Sequence, residues 1–408
     1  MTGEITGILA GLRVVEGSAF IAAPMGGMTL AQMGADVIRF DDLAGGLDSD
    51  RWPVTKDGVS IYWAGLNKGK RSIAVDLRNP KGRELLTALI TAPGENAGIF
   101  TTNMPARGWL SYEELVKKRA DLIALNIVGD RHGSANVDYT VNSITGFPMV
   151  SGPAGYEGPV NQVLPAWDIA TAYAGAMAIL AAERHRRLTG KGQKIVLPLQ
   201  DMALSAVSAI GYMGEAVVNK TDRPRFGNEI FGTFGRDFRT RDGRYVMICV
   251  FSDRHLAALA KAGGFADAFA AIEKKKGVDL TLEADRWNAR AELAAVIEPW
   301  VAAHTAAEIG ATLKKEGALW APYQSFRELS TDKDAVLDNP MFTVLDQPGI
   351  GSYPVAASPV QFASVPRAAA KVAPTLGQHT DEILSGILGL PAHEIAQLHD
   401  AKVVGGPR

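Results

Sequence analysis

The sequence predicts an α/β fold, in which a large domain on a doubly wound parallel sheet is accompanied by a smaller α+β domain. Short apolar runs alternate with helical segments through the first half of the chain, which is typical of parallel βαβ units. The residue composition changes at residues 219–228, which are polar and contain Pro and Gly. This change predicts a domain boundary.

The first half opens with a strand at Leu12–Val15, a helix from about Pro24 to Met33 and a strand at Ala35–Phe40. Strand, helix and strand within about 30 residues indicate a parallel pair joined by a crossover helix. The alternation continues through the segments Ser72–Leu77, Lys81–Ile90, Ala97–Thr101, Tyr112–Arg119 and Leu122–Val128. A long helix at Ala166–Leu188, a strand at Ile195–Leu199 and a long helix at Gln200–Val218 complete this Rossmann-like half.

Beyond the boundary, the pattern predicts a separate, smaller unit. Asp237–Thr240 and Arg244–Val250 flank Arg241-Asp242-Gly243, a signal for a β-hairpin. Helices follow to about Leu313, and then comes an apolar stretch at 319–323. From Met341 the chain is strand-like and loop-like, and it closes with short helices at 380–388 and 392–398.

The composition of the 408-residue chain narrows the functional classes. A net charge of −2 provides no global basic field for nucleic acid. The single Cys excludes an internal disulfide and is consistent with a reducing compartment. Met1–Gly11 lacks the pattern of a secretory signal, and the longest apolar run, Ala172–Ala182, is shorter than the ~18 residues of a membrane span. We expect a cytoplasmic enzyme without nucleic-acid or membrane partners.

Several common site motifs are absent from the sequence. The seven His residues show no ligand spacing, and no Gly-x-Ser-x-Gly elbow occurs. Cys249 lies in the apolar run Val246–Val250, which suits a buried strand residue rather than a nucleophile. The turn Glu16–Phe20 lacks the three glycines of a dinucleotide site, and Gly65–Ser72 is one residue short of a Walker loop and leads into a strand. We expect no metal, no nicotinamide cofactor and no nucleoside triphosphate.

A basic segment around the third predicted strand is a candidate anion site. The cations Lys68, Lys70 and Arg71 precede the strand. Further cations, Arg78, Lys81 and Arg83, follow it, and only Asp76 opposes them. The end of a parallel strand is where an anionic ligand docks, although a solvated basic surface explains the same spacing equally well.

The start of the long helix carries the second candidate feature. In Pro165-Ala166-Trp167-Asp168, the proline and the acid both suit a first helical turn. A structural role explains Asp168 without further assumption, and it is the simpler interpretation. The functional alternative is a carboxylate nucleophile that forms a covalent acyl intermediate, kept ionised at neutral pH by the helix dipole.

Taken together, these residues resemble the family III CoA-transferases (the CaiB/BaiF group) over nearly the full length of the chain. The resemblance rests on four ordered stretches, Gly11–Phe40, Asn67–Gly82, Trp167–Asp201 and Leu376–Leu384. A subgroup that isomerises mesaconyl-CoA is the most similar in the phrases Val14–Ala23, Arg51–Thr55, Ala106–Leu110, Asp138–Asn142 and Asp237–Phe238.

The resemblance implies a mechanism in which Asp168 is the nucleophile. It attacks the thioester, and an aspartyl-CoA thioester follows through a mixed anhydride. In the mesaconyl subgroup, the same acid returns through its other carboxylate, so CoA moves between the two ends of one molecule. Because thioester and anhydride keep the acyl group activated, no cofactor beyond the substrate's coenzyme A is expected.

The resemblance also implies positions for binding residues. It places phosphate or ribose contacts at Arg39, Lys70 and Arg71, with Asn103 and Arg107 as further candidates. Ser18 and Ala19 would lie near the thioester, where backbone N–H groups can support an oxyanion. For the second carboxylate of a dicarboxylic acid, the candidate partners are Arg51, Arg131 and His132. The Gly-rich loop of several family members has no counterpart here, and neither do the family's Lys and Tyr near Val128–Asp130.

The family architecture implies a large domain made from both ends of the chain and an interlocked homodimer. We therefore expect residues 1–218 and 336–408 to form the large, CoA-binding domain. Residues 219–335 would form the small domain with its linkers.

Three alternative functions remain open at this stage. An intermolecular CoA-transferase would pass CoA from a dicarboxylic acyl-CoA to a different acid. An α-methylacyl-CoA racemase is less favoured, because Val137-Asp138 stands where that family places its His, and His132 is out of register. A non-enzymatic CoA-binding subunit is the third.

Overall fold

The computed structural model describes residues 7–407. Its strands are β1 (Arg13–Gly17), β2 (Asp36–Asp41), β3 (Arg71–Val75), β4 (Ile99–Thr102), β5 (Ile123–Val128), β6 (Gln193–Pro198), β7 (Phe234–Arg239), β8 (Tyr245–Val250), β9 (Leu319–Pro322), β10 (Phe342–Gln347), β11 (Gly351–Ala356) and β12 (Val404–Gly405).

The helices, in chain order, include four very short ones that the sequence pattern did not predict. They are α1 (Ala22–Gln32), α2 (Ile61–Leu66), α3 (Pro80–Ile90), α4 (Tyr112–Leu115), α5 (Asp138–Ser143), α6 (Phe147–Val150), α7 (Ala166–Thr189), α8 (Leu199–Ala209), α9 (Tyr212–Asn219), α10 (Asp253–Gly263), α11 (Ala266–Lys276), α12 (Glu283–Asn288), α13 (Arg290–Ala302), α14 (Ala306–Glu316), α15 (Phe326–Ser330), α16 (Thr380–Gly386) and α17 (Ala392–Asp400). The unpredicted ones are α2, α5, α6 and α15, which have too few residues for a helical period to stand out in the sequence.

The main sheet confirms the predicted fold class. Its order is β12-β3-β2-β1-β4-β5-β6, and the six strands from β3 to β6 run parallel. The edge strand β12 is antiparallel to β3 and was not predicted, since it has only two residues. The strand order reverses between β1 and β4, and the crevice at their carboxyl ends is where such sheets bind ligands.

Helix α7 lies on this sheet because one face of it is apolar and small. The buried face includes Trp167, Gly175 and Ile179, and a Cβ on Gly175 would lie 3.1 Å from Leu125 of β5. The helix ends at Gly190, whose φ of 72° is the left-handed conformation that glycine tolerates. The sheet and α7 therefore fix the position of the first helical turn, where Asp168 lies.

The chain divides into two compact units. The first consists of residues 7–145, 162–215 and 332–407, and the second of residues 146–161 and 216–331. The second unit contains the antiparallel sheet β7-β8-β9, so the hairpin prediction is confirmed. Residues 146–161 group with the second unit, whereas the sequence assigned them to the first. Within that unit Arg225 donates to the carbonyl oxygens of Pro148, Met149 and Tyr156.

Two helix predictions were wrong in extent. The long helix predicted at 200–218 is two helices, α8 and α9, interrupted at Gly211 with a φ of 84°. The helix predicted at 112–119 ends at Leu115. Among residues 7–407, no helix combines the length and the apolar character needed to cross a bilayer.

Candidate active site

Asp168 lies in the first turn of α7, and a second carboxylate holds that turn. Oδ2 of Asp138, on α5, accepts hydrogen bonds from the backbone N–H groups of Trp167 at 2.7 Å and of Asp168 at 2.9 Å. The indole N–H of Trp167 donates to Oδ1 of Asn142, also on α5, at 2.9 Å. Helix α5 thus supplies the cap that Pro165, which has no capping side chain, cannot provide.

The environment of Asp168 favours its neutral form. Burial and the like charge of Asp138 together raise the pKa of Asp168 to about 7, against the opposing influence of the Arg51 cation. The expectation that the helix dipole keeps Asp168 ionised at neutral pH took no account of this burial, which acts in the opposite direction.

Arg51 is held between two aromatic rings near Asp168. Its guanidinium carbon lies 5.3 Å from the ring centre of Phe20 and 5.3 Å from that of Tyr62, on α2. Burial raises the pKa of Tyr62 to about 12, and the charge of Asp168 acts in the same direction. Arg51, Tyr62 and Asp168 therefore belong to one electrostatic environment.

The turn after β1 contains a residue, Phe20, in a strained backbone conformation. Phe20 has a φ of 65°, which is rare for a residue other than glycine, and its N–H donates to buried Asp48 at 2.9 Å. The amide of Asn103, just after β4, exchanges two hydrogen bonds with the backbone of Ala19, at 2.9 and 2.7 Å. In this conformation the N–H of Ala19 donates to Asn103 and is not free to support an oxyanion.

A buried ion network lies beneath this turn. Nζ of Lys70 contacts Glu16 at 2.6 Å, and the guanidinium of Arg39 contacts Asp41 at 2.9 Å and Asp48 at 2.8 Å. All five side chains are almost completely buried. Burial lowers the pKa of Lys70 to about 8, while Glu16 opposes that shift.

Arg39 and Lys70 thus fix the carboxyl ends of β1 and β2 and present no cation to an outside ligand. This corrects the expectation that they contact phosphate. The hydroxyl of Ser18, another predicted site residue, donates to Glu16 at 2.7 Å and belongs to the same network.

The model of CoA-transferase family III matches residues 9–380. The chain belongs to CoA-transferase family III. It is 56% identical over 403 residues to 2-methylfumaryl-CoA isomerase of Chloroflexus aurantiacus, with 98% of both chains covered.

More distant relatives share the family fold. The chain is 30% identical to succinyl-CoA:mesaconate CoA-transferase of Haloarcula marismortui, over 93% of this chain and 96% of that one. Among solved structures, a CaiB/BaiF family protein from Brucella suis superposes with a TM-score of 0.77 at 26% identity, covering 93% of this chain and 99% of that chain.

For a family III CoA-transferase, the accessible cations are the candidates for contacts with CoA. Arg107 and Arg131 are exposed, and so is His132. Arg71 is partly exposed but shared between Asp36 and Glu382. Lys68 is half-buried, and burial lowers its pKa. Of the three candidates for a second substrate carboxylate, Arg51 is the one whose charge acts on Asp168.

Sequence reasoning missed the carboxylates that shape this family III site. Asp138 occurs in a phrase that matched the mesaconyl subgroup, but no spacing rule connects it to a residue 30 positions later. Glu16 and Asp48 likewise lie in no sequence motif that would identify them as site residues. Among residues 7–407, no group of three or more His, Cys, Asp or Glu side chains is arranged to hold a metal ion.

Proposed function

We propose that this protein moves CoA between the two carboxyl groups of mesaconate (2-methylfumarate), with Asp168 as the nucleophile. The observation that carries the proposal is a partly buried carboxylate, whose pKa is raised to about 7, within the electrostatic influence of the Arg51 cation. The 56% identity to a relative named 2-methylfumaryl-CoA isomerase supports this substrate. A dicarboxylic substrate needs both a nucleophile and a cation, because one of its carboxyl groups reacts while the other must be bound.

The proposed reaction needs no redox step or outside group. A carboxylate oxygen of Asp168 attacks the thioester carbonyl, the C–S bond breaks, and CoA leaves as a thiolate with the electron pair. The thiolate then attacks the aspartyl carbonyl of the mixed anhydride, releasing the acid and forming an aspartyl-CoA thioester.

The return half of the reaction uses the other end of the same acid. Its second carboxylate attacks the aspartyl carbonyl and displaces the CoA thiolate. That thiolate then attacks the acyl carbonyl on the substrate side of the new anhydride. This step restores the Asp168 carboxylate and leaves CoA on the other end of the acid.

Arg51 is the residue that we assign to the carboxylate that is not reacting. Its stacking on Phe20 and Tyr62 restricts the guanidinium, so less rotational freedom is lost when a ligand binds. Arg131 and His132 are exposed on the loop after β5 and are the alternative partners. The cation of Arg51 also favours the ionised, nucleophilic form of Asp168.

We assign CoA to the crevice at the carboxyl ends of β1 and β4. Arg107 is exposed close after β4, and Arg71 would have to exchange its present carboxylate partners for a phosphate. Asn103 would position the turn that carries Ser18 and Ala19, since it binds both backbone groups of Ala19. Coenzyme A would enter as part of the substrate, with no metal and no nucleoside triphosphate involved.

We also propose that the protein is a cytoplasmic homodimer, interlocked as the family resemblance implies. Exposed apolar side chains on the first unit support a partner surface. They include Tyr173 and Met177, one turn apart on α7, and Val196 on the edge strand β6. Helix α9 buries none of its residues within one chain. A second copy would cover these groups.

The decisive experiment incubates the purified protein with one positional isomer of mesaconyl-CoA and no added acid. We expect the other isomer to form, and an aspartyl-CoA adduct on Asp168 to be detected by mass spectrometry. Asp168→Asn should abolish turnover while CoA still binds. Arg51→Lys should raise KM more than it lowers kcat.

Other outcomes would contradict the proposal in distinct ways. A requirement for a second acid would indicate intermolecular transfer. Incorporation of solvent deuterium at the α carbon of a methyl-branched acyl-CoA would indicate a racemase. CoA binding without any turnover would indicate a binding subunit.

A further inference from the structure

Asp138 is a buried acid that the proposed mechanism does not use. The residue is 2% exposed, and its Oδ2 is fully engaged with the first turn of α7. Its Oδ1 is also buried and has no hydrogen-bond partner. A buried carboxylate oxygen without a partner is costly, so such an atom calls for a functional reason.

We propose that Asp138 is a positioning residue that sets both the orientation and the ionisation of Asp168. This inference rests on the proposed function, because it assumes that Asp168 is the nucleophile. Asp138 does not touch the reacting atoms. It acts through the two N–H groups that it accepts and through its negative charge.

The orienting role follows from the hydrogen bonds. One carboxylate oxygen binds the N–H groups of two successive residues, and one of them is Asp168 itself. Asn142 on the same short helix α5 binds the indole of Trp167. Two residues of α5 thereby hold the first turn of α7, so the backbone position of Asp168 is fixed.

The ionising role follows from the charges that face Asp168. Helix α5 contributes Asp138, the segment after β2 contributes Arg51, and α2 contributes the phenol of Tyr62. Helix α1, which packs along α7, has no titratable side chain. Asp138 is thus the like charge that opposes Arg51, and burial raises its own pKa as well.

The negative charge of Asp138 makes the loss of the Asp168 proton harder. A carboxylate whose pKa lies near the working pH is more basic than an ordinary Asp, and so more nucleophilic when ionised. Asp138 would therefore increase the reactivity of Asp168 at the cost of its ionised fraction.

The test compares Asp138→Asn with wild type in two measurements. Asparagine keeps an oxygen for the N–H groups and removes the charge. The acid limb of kcat/KM should move to lower pH by roughly one unit, because a neighbouring like charge has been removed. Infrared difference spectra between ligand-free enzyme and its Asp168→Asn variant should show the same shift in the titration of the Asp168 carboxyl.

The chain offers a matched control in Asp242, which accepts the N–H of Ala306 at the start of α14 in the second unit. Asp242→Asn removes a carboxylate from a helix start without any nearby Asp168, so neither the pH limb nor the infrared titration should move. Asp138→Ser, which keeps an acceptor in a smaller side chain, should shift both in the same direction as Asp138→Asn.

The two proposals fail in different ways. If folded Asp138→Asn and Asp138→Ser leave the infrared titration of Asp168 at the wild-type pH, the role of Asp138 is wrong even though isomerisation proceeds. If the infrared titration shifts as expected but wild type does not isomerise mesaconyl-CoA, the inference about Asp138 stands and the proposed function is wrong.

Discussion

The raised pKa of Asp168, which we associate with its reactivity, lowers the stability of the folded protein at neutral and higher pH. Its pKa rises from an ordinary value of 3.8 to about 7 on folding, so the folded chain binds more protons than the unfolded chain between these values. The free energy of unfolding therefore decreases as the pH rises through this interval. At higher pH the fold contains an ionised carboxylate that is poorly hydrated.

Replacing that carboxylate should stabilise the protein, and only at the higher pH. We expect Asp168→Asn to raise the free energy of unfolding by roughly 1–2 kcal/mol near pH 8, with allowance for partial exposure. The gain should disappear near pH 4, where the wild-type carboxyl is already neutral. Urea unfolding at the two pH values measures both, and an equal gain at each would show that the pKa is not raised.

At the scale of elements, the contact of α1 with β1 and α7 depends on two successive glycines. A Cβ on Gly26 would lie 3.1 Å from the carbonyl oxygen of Ala172 in α7. A Cβ on Gly27 would lie 1.7 Å from Oε2 of buried Glu16, whose other carboxylate oxygen, Oε1, is paired with Lys70. These glycines let α1 lie over the ion network that supports the turn at Phe20.

We expect Gly27→Ala to lower the free energy of unfolding by roughly 3 kcal/mol, because the added methyl group collides with a carboxylate that cannot move away. Gly386→Ala is the matched control, since it lies at the end of α16 with open space around a Cβ. That change should be neutral or stabilising by up to about 1 kcal/mol. Chemical denaturation measures both, and equal losses would contradict the proposed steric cause.

The elements also show how far the sequence can be interpreted. Long periodic segments such as α7 and the buried strands β1 to β5 were predicted close to their observed bounds, because a buried face leaves a strong period. Asp168 was a candidate because it stands at a helix start, and the family resemblance assigned it the role of nucleophile. The pairing of Arg39 and Lys70 with acids was missed, since it joins residues that are distant in sequence. Arg39 and Lys70 therefore look available for ligand binding in the sequence, but in the structure they are buried in ion pairs.

At the scale of the whole molecule, the exposed apolar surface bears on assembly. We expect sedimentation equilibrium to give a dimer. Met177→Lys should weaken it, because a charge would be placed among the apolar side chains of α7. Leu282→Lys, an exposed apolar position in the second unit, is the control and should leave the dimer intact. A wild-type monomer at micromolar concentration would remove the proposed role of this surface.

The strand β12 has a consequence for the order in which the protein can fold. It pairs Val404 with Val75. From the same late region, the N–H of Gly377 donates to the hydroxyl oxygen of Ser72, and the hydroxyl oxygen of Thr380 accepts from the N–H of Ala74. Residues 376–405 leave the ribosome after every other strand of the sheet has been made. Until then β3 is an open edge, able to pair with another nascent chain. The edge of β3 is therefore covered only after the last strand of the sheet has been synthesised.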